Sequence, residues 1–214
     1  MDKFFAVDGP LMTFLNKFGQ LIMLTFVWLL CCIPVVTIVG SSNSFYYAVI
    51  KSVRREVGYP IREFFKNFKR TLKDGLIFNV ILILWAVLLW FNLQIITHTQ
   101  ITAVRVLYII YFIIIALTVA WVVYLLPVLS RFDVPRLKMA KMSLMMIFLQ
   151  PLKTVILVAV PVAVVALAIY KLPVACLAFI PGVWVYMSTW LIEPVLKRFM
   201  GKPSDDSKKE WYDE

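Results

Sequence analysis

Residues 76–96 read LIFNVILILWAVLLWFNLQII. The stretch carries no charge, and its amides are Asn79, Asn92 and Gln94. As a helix it would be about 30 Å long, the thickness of a bilayer's hydrocarbon core. Directly before it, PIREFFKNFKRTLKD (60–74) supplies Arg62, Lys66, Lys69, Arg70 and Lys73. An abrupt change from a basic to an apolar run marks the flank of a membrane span, because lysine and arginine stay on the cytoplasmic side.

The same pattern recurs along the chain. Apolar runs cover Phe18–Val39, Val106–Leu129, Val155–Tyr170 and Val174–Leu196 as well as Leu76–Ile96. The expected fold class is therefore all-α, a polytopic membrane helix bundle of five transmembrane helices with amphipathic cytoplasmic helices between them. With 62% apolar residues and a mean hydropathy of +0.87, the chain departs from a soluble domain, where roughly half the residues are apolar. The connections left over are shorter than the ~50 residues a separate soluble domain needs. We read 1–200 as a single integral membrane domain and 201–214 as a short polar cytoplasmic tail.

Charge orients the bundle. Lys51, Arg54, Arg55, Arg62, Lys66, Lys69, Arg70 and Lys73 separate the first two spans. Arg131, Arg136, Lys138, Lys141 and Lys153 separate the third and fourth, and Lys197, Arg198, Lys202, Lys208 and Lys209 follow the fifth. Lys3, Lys17, Arg105 and Lys171 fall on the other side. The positive-inside rule then places the N-terminus outside and the C-terminus in the cytoplasm of a bacterial inner membrane. The first apolar run is too long for a signal-peptide core and has no A-x-A site after it, so it is expected to remain in the mature protein. The net charge of +10 flanks spans and meets the lipid bilayer's headgroups, which argues against a nucleic-acid partner.

Pro34 is expected to kink the first span, and Gly40–Ser44 to form a polar break that caps a helix carrying Phe45, Val49, Val53 and Val57 on one face. In the next helix Ile61, Phe64, Phe65, Phe68 and Leu72 fall on one face, and Lys66, Lys69 and Arg70 on the other. An aromatic stripe beside a basic one suits a helix lying in the headgroup plane, and suits equally a dock for a partner protein. Phe64, Phe65, Phe68, Lys66, Lys69 and Arg70 are the candidate docking residues. Leu137, Ala140, Lys141, Leu144, Met145, Ile147 and Phe148 suggest another amphipathic helix before the fourth span, whose Met139, Met142, Met145 and Met146 pack under the bundle or offer an adaptable docking surface.

No catalytic constellation emerges, and no metal or cofactor motif. His98 is the single histidine, and Cys31, Cys32 and Cys176 have no metal-ligand spacing. We therefore expect a protein that is not an enzyme and uses no cofactor. The candidate polar groups within the membrane are Glu193, Asn79 and Asn92. Intramembrane carboxylates are costly and mark solute paths, or else pair with a cation, which Lys197 and Arg198 would supply. The asparagines line a polar seam or bond between helices.

The segment from Trp28 to Asp74 resembles the YesL family of small bacterial membrane proteins, also known as the domain of unknown function 624. Trp28-Leu29, Pro34, Thr37 and Gly40 match its first-span pattern, and Tyr46 and Tyr47 its aromatic helix. Phe64, Phe65, Phe68 and Lys69 match its F-F-x-x-F-K helix, and Pro127 with Arg131-Phe132 its third-span ending. Ser41, Ser42 and Asn43 depart mildly from the usual small residues. The family has no established activity, but its genes often neighbour carbohydrate-uptake and carbohydrate-degradation genes. The resemblance implies an accessory or regulatory role beside a sugar ABC transporter permease or a membrane sensor. The alternative is a small oligomeric transporter or channel for a solute, the role toward which a homo-oligomer would point.

Overall fold

The computed structural model describes residues 10–98, 104–132, 134–159 and 180–199. Pro34 sets the first event of the fold. Helix α1 (Pro10–Cys32) stops before it, a 3-10 turn follows at Val35–Thr37, and α2 (Ile38–Ala48) starts beyond. Proline removes a backbone donor and crowds the preceding turn, and here the chain reverses. Trp28 Nε1 donates to Ser42 Oγ at 3.1 Å, the Ser41 hydroxyl donates to the Cys31 carbonyl at 3.0 Å, and Lys17 Nζ meets Glu56 at 2.8 Å. These pairs make α1 and α2 the antiparallel arms of a hairpin.

Three expectations are corrected by that hairpin. Phe18–Val39 is not one kinked span, because α1 ends at Cys32 and α2 runs back alongside it. Lys17 shares an end with Glu56 and its neighbours Arg54 and Arg55 rather than lying across from them, so the charge count no longer sets the start of α1 opposite the basic end. Gly40–Ser44 is not a break either. Those residues are helical, and all but Ser42 are buried.

The reason is α3 (Pro60–His98), a continuous helix of 39 residues, about 58 Å long. It packs antiparallel on α2. A Cβ added to Gly75 would lie 2.9 Å from the Gly40 Cα, so the two backbones touch where both residues lack a side chain. Small residues permit this approach between helices in lipid. Around that crossing, Asn43 Nδ2 donates to Thr71 Oγ1 at 2.9 Å, and Asn79 caps the broken chain. Its Nδ2 donates to the Val35 carbonyl at 2.8 Å, and its Oδ1 accepts from the Val39 amide at 3.3 Å. On α3, Glu63, Asn67, Thr71, Gly75 and Asn79 thus form a row every four residues, all of them buried.

The expected second amphipathic helix is the first half of α3 itself. It therefore does not lie separately in the headgroup plane, since it shares one axis with the apolar run that follows. The link from α2 into α3 is tight. Glu56 has φ +60° and Gly58 φ +77°, and Pro60 opens α3 at the position where its missing amide costs nothing.

Helix α4 (Val104–Arg131) returns along α3. Trp85 Nε1 donates to Thr118 Oγ1 at 3.2 Å, Phe78 meets Trp121 edge-on, and Arg70 Nη2 donates to the Ser130 carbonyl at 2.9 Å. Helix α5 (Arg136–Leu149) sits across this pair, with Trp121 Nε1 donating to the Ala140 carbonyl at 3.2 Å. Helix α6 (Pro151–Ala159) leaves α5 at 99°. Of the four α5 methionines, Met139 and Met146 are core residues and Met145 is exposed. Helix α7 (Ile180–Phe199) closes against α1, where a Cβ on Gly182 would lie 2.9 Å from Thr25 Oγ1.

Three helices are long and apolar enough to cross a membrane, over Leu15–Cys32, Pro60–Gln94 and Ile109–Arg131, with mean hydropathies of 1.5, 2.4 and 2.7. The bent α5–α6 pair is a fourth if it counts as one broken span. The five-span count is thus not reproduced among the described residues. Most of the expected span at 155–170 and the start of the one at 174–196 lie outside them, as do residues 1–9 and the tail.

Candidate functional site

Beyond Ala48 the helix loosens into a π-turn, Val49–Arg54. Such turns are rare and recur at functional sites, because the wider ring re-aims the side chains that follow. Here every residue from Asn43 to Val53 is buried, and the turn delivers Arg54 and Arg55 to the edge of the core. Both point at α7. Arg54 Nη1 lies 2.5 Å from Glu193 Oε2, and Arg55 Nη2 lies 3.3 Å from Oε1. From the end of α4, Arg131 Nη2 reaches the same Oε1 at 3.4 Å, with a side chain wholly withdrawn from solvent.

Three guanidinium groups from two elements thus converge on one carboxylate from a third. Arg54 also donates to Thr189 Oγ1 at 3.1 Å and stacks over the Trp190 ring at 4.7 Å. The Tyr46 hydroxyl is buried beside this group. Guanidinium groups stay protonated throughout the accessible pH range, and their fork geometry suits a carboxylate. The arrangement is an electrostatic fastening of the π-turn, α4 and α7.

One turn back along the chain, Lys51 is buried between Glu63 at 3.2 Å and the Tyr47 hydroxyl at 3.4 Å. Burial alone would lower its pKa, but the bonds to Glu63 and Tyr47 outweigh it and the net shift is upward. The Glu63 carboxylate packs over Gly58, where a Cβ would meet Oε1 at 3.0 Å, so the strained link and the ion pair fit together.

The sequence-derived candidates separate in space. Phe64 is fully buried and stacks with Phe68 at 6.1 Å, so it belongs to the core and cannot dock a partner. Phe68 is partly covered, while Phe65 is 43% exposed. Lys66, Lys69 and Arg70 are exposed on α3 together with Arg62 and Lys73, and Arg70 also ties α3 to the end of α4. Glu193 sits at the basic end, whereas Asn79 lies at the hairpin turn, roughly 20 Å away along α2. Asn92 donates to the carbonyl of Leu88 in its own helix at 2.8 Å, about 20 Å further along α3 than Asn79. The three polar groups therefore do not share a path.

Sequence reasoning missed Arg54, Arg55 and Arg131 as the partners of Glu193 and favoured Lys197 and Arg198, whose side chains lie outside the described residues. The usable signal was weak: one lone acid near a span end, and arginines at the ends of two others.

The structure is thus an all-α bundle with membrane-length apolar helices and one strongly basic end, the architecture of an integral membrane protein. The family model described as "Protein of unknown function, DUF624" matches residues 21–93, about a third of the chain. That segment holds most of α1, all of α2, the π-turn and most of α3, and over it the chain is similar to the family. No curated protein and no solved structure matches the chain.

Proposed function

We propose that this chain is a non-enzymatic accessory membrane protein of the YesL type, in the bacterial cytoplasmic membrane, serving a carbohydrate-uptake or sensing complex. The observation that carries this reading is α3. Its apolar half accounts for one crossing, about 30 Å, so the rest of its ~58 Å extends past the hydrocarbon. That extension presents Arg62, Phe65, Lys66, Lys69 and Lys73 on one exposed face. The positive-inside rule turns this end, with α7's C-terminus, toward the cytoplasm. A basic rod rigidly joined to a span is suited to hold an acidic surface of a neighbouring complex at fixed height, and its charges set partner choice and encounter rate more than affinity.

The association with carbohydrate uptake rests on the family resemblance. The test is purification in mild detergent from the native cell, comparing the wild type with Lys66→Glu/Lys69→Glu/Lys73→Glu. Stoichiometric recovery of a sugar permease or sensor kinase that the triple variant loses supports the reading. Partners retained at full yield by the variant would sink it. A clean homo-oligomer in both samples would move the assignment to solute transport, to be measured as flux in liposomes.

A further inference from the structure

We propose that the groove between α3 and α4 is a specific site for one acyl chain of an anionic phospholipid, whose phosphate is held by Lys141 at the rim. The groove has a volume of about 560 Å³ and runs beside the Trp85–Thr118 contact. Ile81, Trp85 and Leu88 form one wall, and Leu117 and Trp121 the other. Thr118 is the single hydroxyl in the lining, and it is already bonded to its own helix at Ile114 and to Trp85. The groove therefore offers nothing to a polar solute, since any polar group entering it would lose its hydration without a partner.

Its position selects a lipid. The groove opens along the apolar halves of α3 and α4, where Leu84, Leu88 and Leu117 are 66%, 50% and 45% exposed. Leu144 of α5 closes it toward the basic end. Lys141 is exposed one turn before Leu144 on the same side of α5, and Ala140 beside it receives the Trp121 indole bond. A chain lying in the groove would thus bring its headgroup to the level of Lys141, at the boundary between apolar spans and basic end. A juxtamembrane lysine contributes about 1 kcal/mol toward an anionic headgroup, equivalent to roughly a fivefold preference over a zwitterionic one.

The experiment uses the full chain in detergent, titrated with phosphatidylglycerol or phosphatidylcholine of matched chains and followed by thermal unfolding. Ligands that bind only the folded state raise the melting temperature by mass action. We expect phosphatidylglycerol to act at about one-fifth the concentration of phosphatidylcholine. Lys141→Gln should remove that preference and Lys141→Arg restore it. Leu117→Trp, which fills the groove from a lipid-facing position, should abolish stabilisation by both lipids. Equal action of the two lipids on the wild type, or a preference that survives Lys141→Gln, would overturn the headgroup assignment. Full stabilisation of Leu117→Trp, or an equal effect of inorganic phosphate alone, would overturn the groove as the site. A cross-link between introduced cysteines at Leu84 of two copies, formed in lipid-replete membranes, would give the groove to a second copy instead.

Discussion

Replacing Glu193 by glutamine keeps shape and removes one charge, and the cost follows from the three arginines that face it. Arg131 has no solvent exposure in its side chain and Arg54 has 18%, so neither regains full hydration when the carboxylate is gone. Removing one partner from a buried ion pair costs about 3–5 kcal/mol, mostly because the remaining charge stays buried. Arg55 is 32% exposed and pairs at 3.3 Å, so its share is at most about 1 kcal/mol. We take about 3 kcal/mol as the floor for the whole change, because glutamine still accepts one hydrogen bond. For a chain of this size that lowers the melting temperature by about 6–12 °C. The assay is thermal unfolding of the detergent-solubilised protein. Removing the buried charges on both sides with Arg54→Met/Arg131→Met/Glu193→Leu should recover most of the loss, since apolar replacements of a buried ion-pair group are often neutral. A Glu193→Gln protein melting within about 2 °C of wild type would refute the claim that this carboxylate fastens the three elements.

Gly75→Ala should destabilise by about 1–3 kcal/mol, because the new methyl group meets the Gly40 backbone at 2.9 Å; Gly19→Ala, with nothing within 4 Å, should be neutral or mildly stabilising in the same unfolding assay. Asn79→Leu removes the groups that satisfy the Val35 carbonyl and Val39 amide at the hairpin turn, and is expected to cost about 1–3 kcal/mol, read as a lower melting temperature. The Lys51–Glu63 pair gives a pH signature. The Lys51 pKa is raised by folding, so its contribution is fully present below the ordinary lysine value, about 10.4, and is lost as pH climbs through the higher folded value. Melting temperature should therefore fall at alkaline pH in the wild type and fall less steeply in Lys51→Met.

The helical class was legible because a charge-free run such as 76–96 permits little else in lipid, and the helix-length periodicity of 61–72 was equally plain. What periodicity cannot convey is continuity. Nothing between Lys73 and Leu76 announces that a basic helix and an apolar one share an axis, or that Gly75 is the contact point for Gly40. Nor does hydropathy distinguish a span that bends at Pro34 from a chain that turns back there; Asn79, far along the chain on α3, decides it by capping the exposed ends. Glu193 was recognisable as the acid to explain, since ionisable groups near a span are expensive. Its partners were not, because they come from positions 54, 55 and 131, and local spacing on α7 reports only its own helix. Phe64 and Phe65 show the same blindness at finer scale, for adjacent aromatics in one stripe end up inside and outside.

The enclosure of α2 has a consequence for biogenesis. Ser41, Asn43, Ser44, Lys51 and Ser52 are all buried by neighbouring helices, so in the fold the polar residues of this segment are kept from direct contact with lipid. The ribosome nonetheless makes it before α3, its principal cover. At about 5–20 residues per second, synthesis from Arg54 to the end of α3 takes roughly 2–9 s. Through that interval the polar residues of 38–54 lack the cover that α3 gives them, so their burial is complete only when α3 has been made and packed against α2.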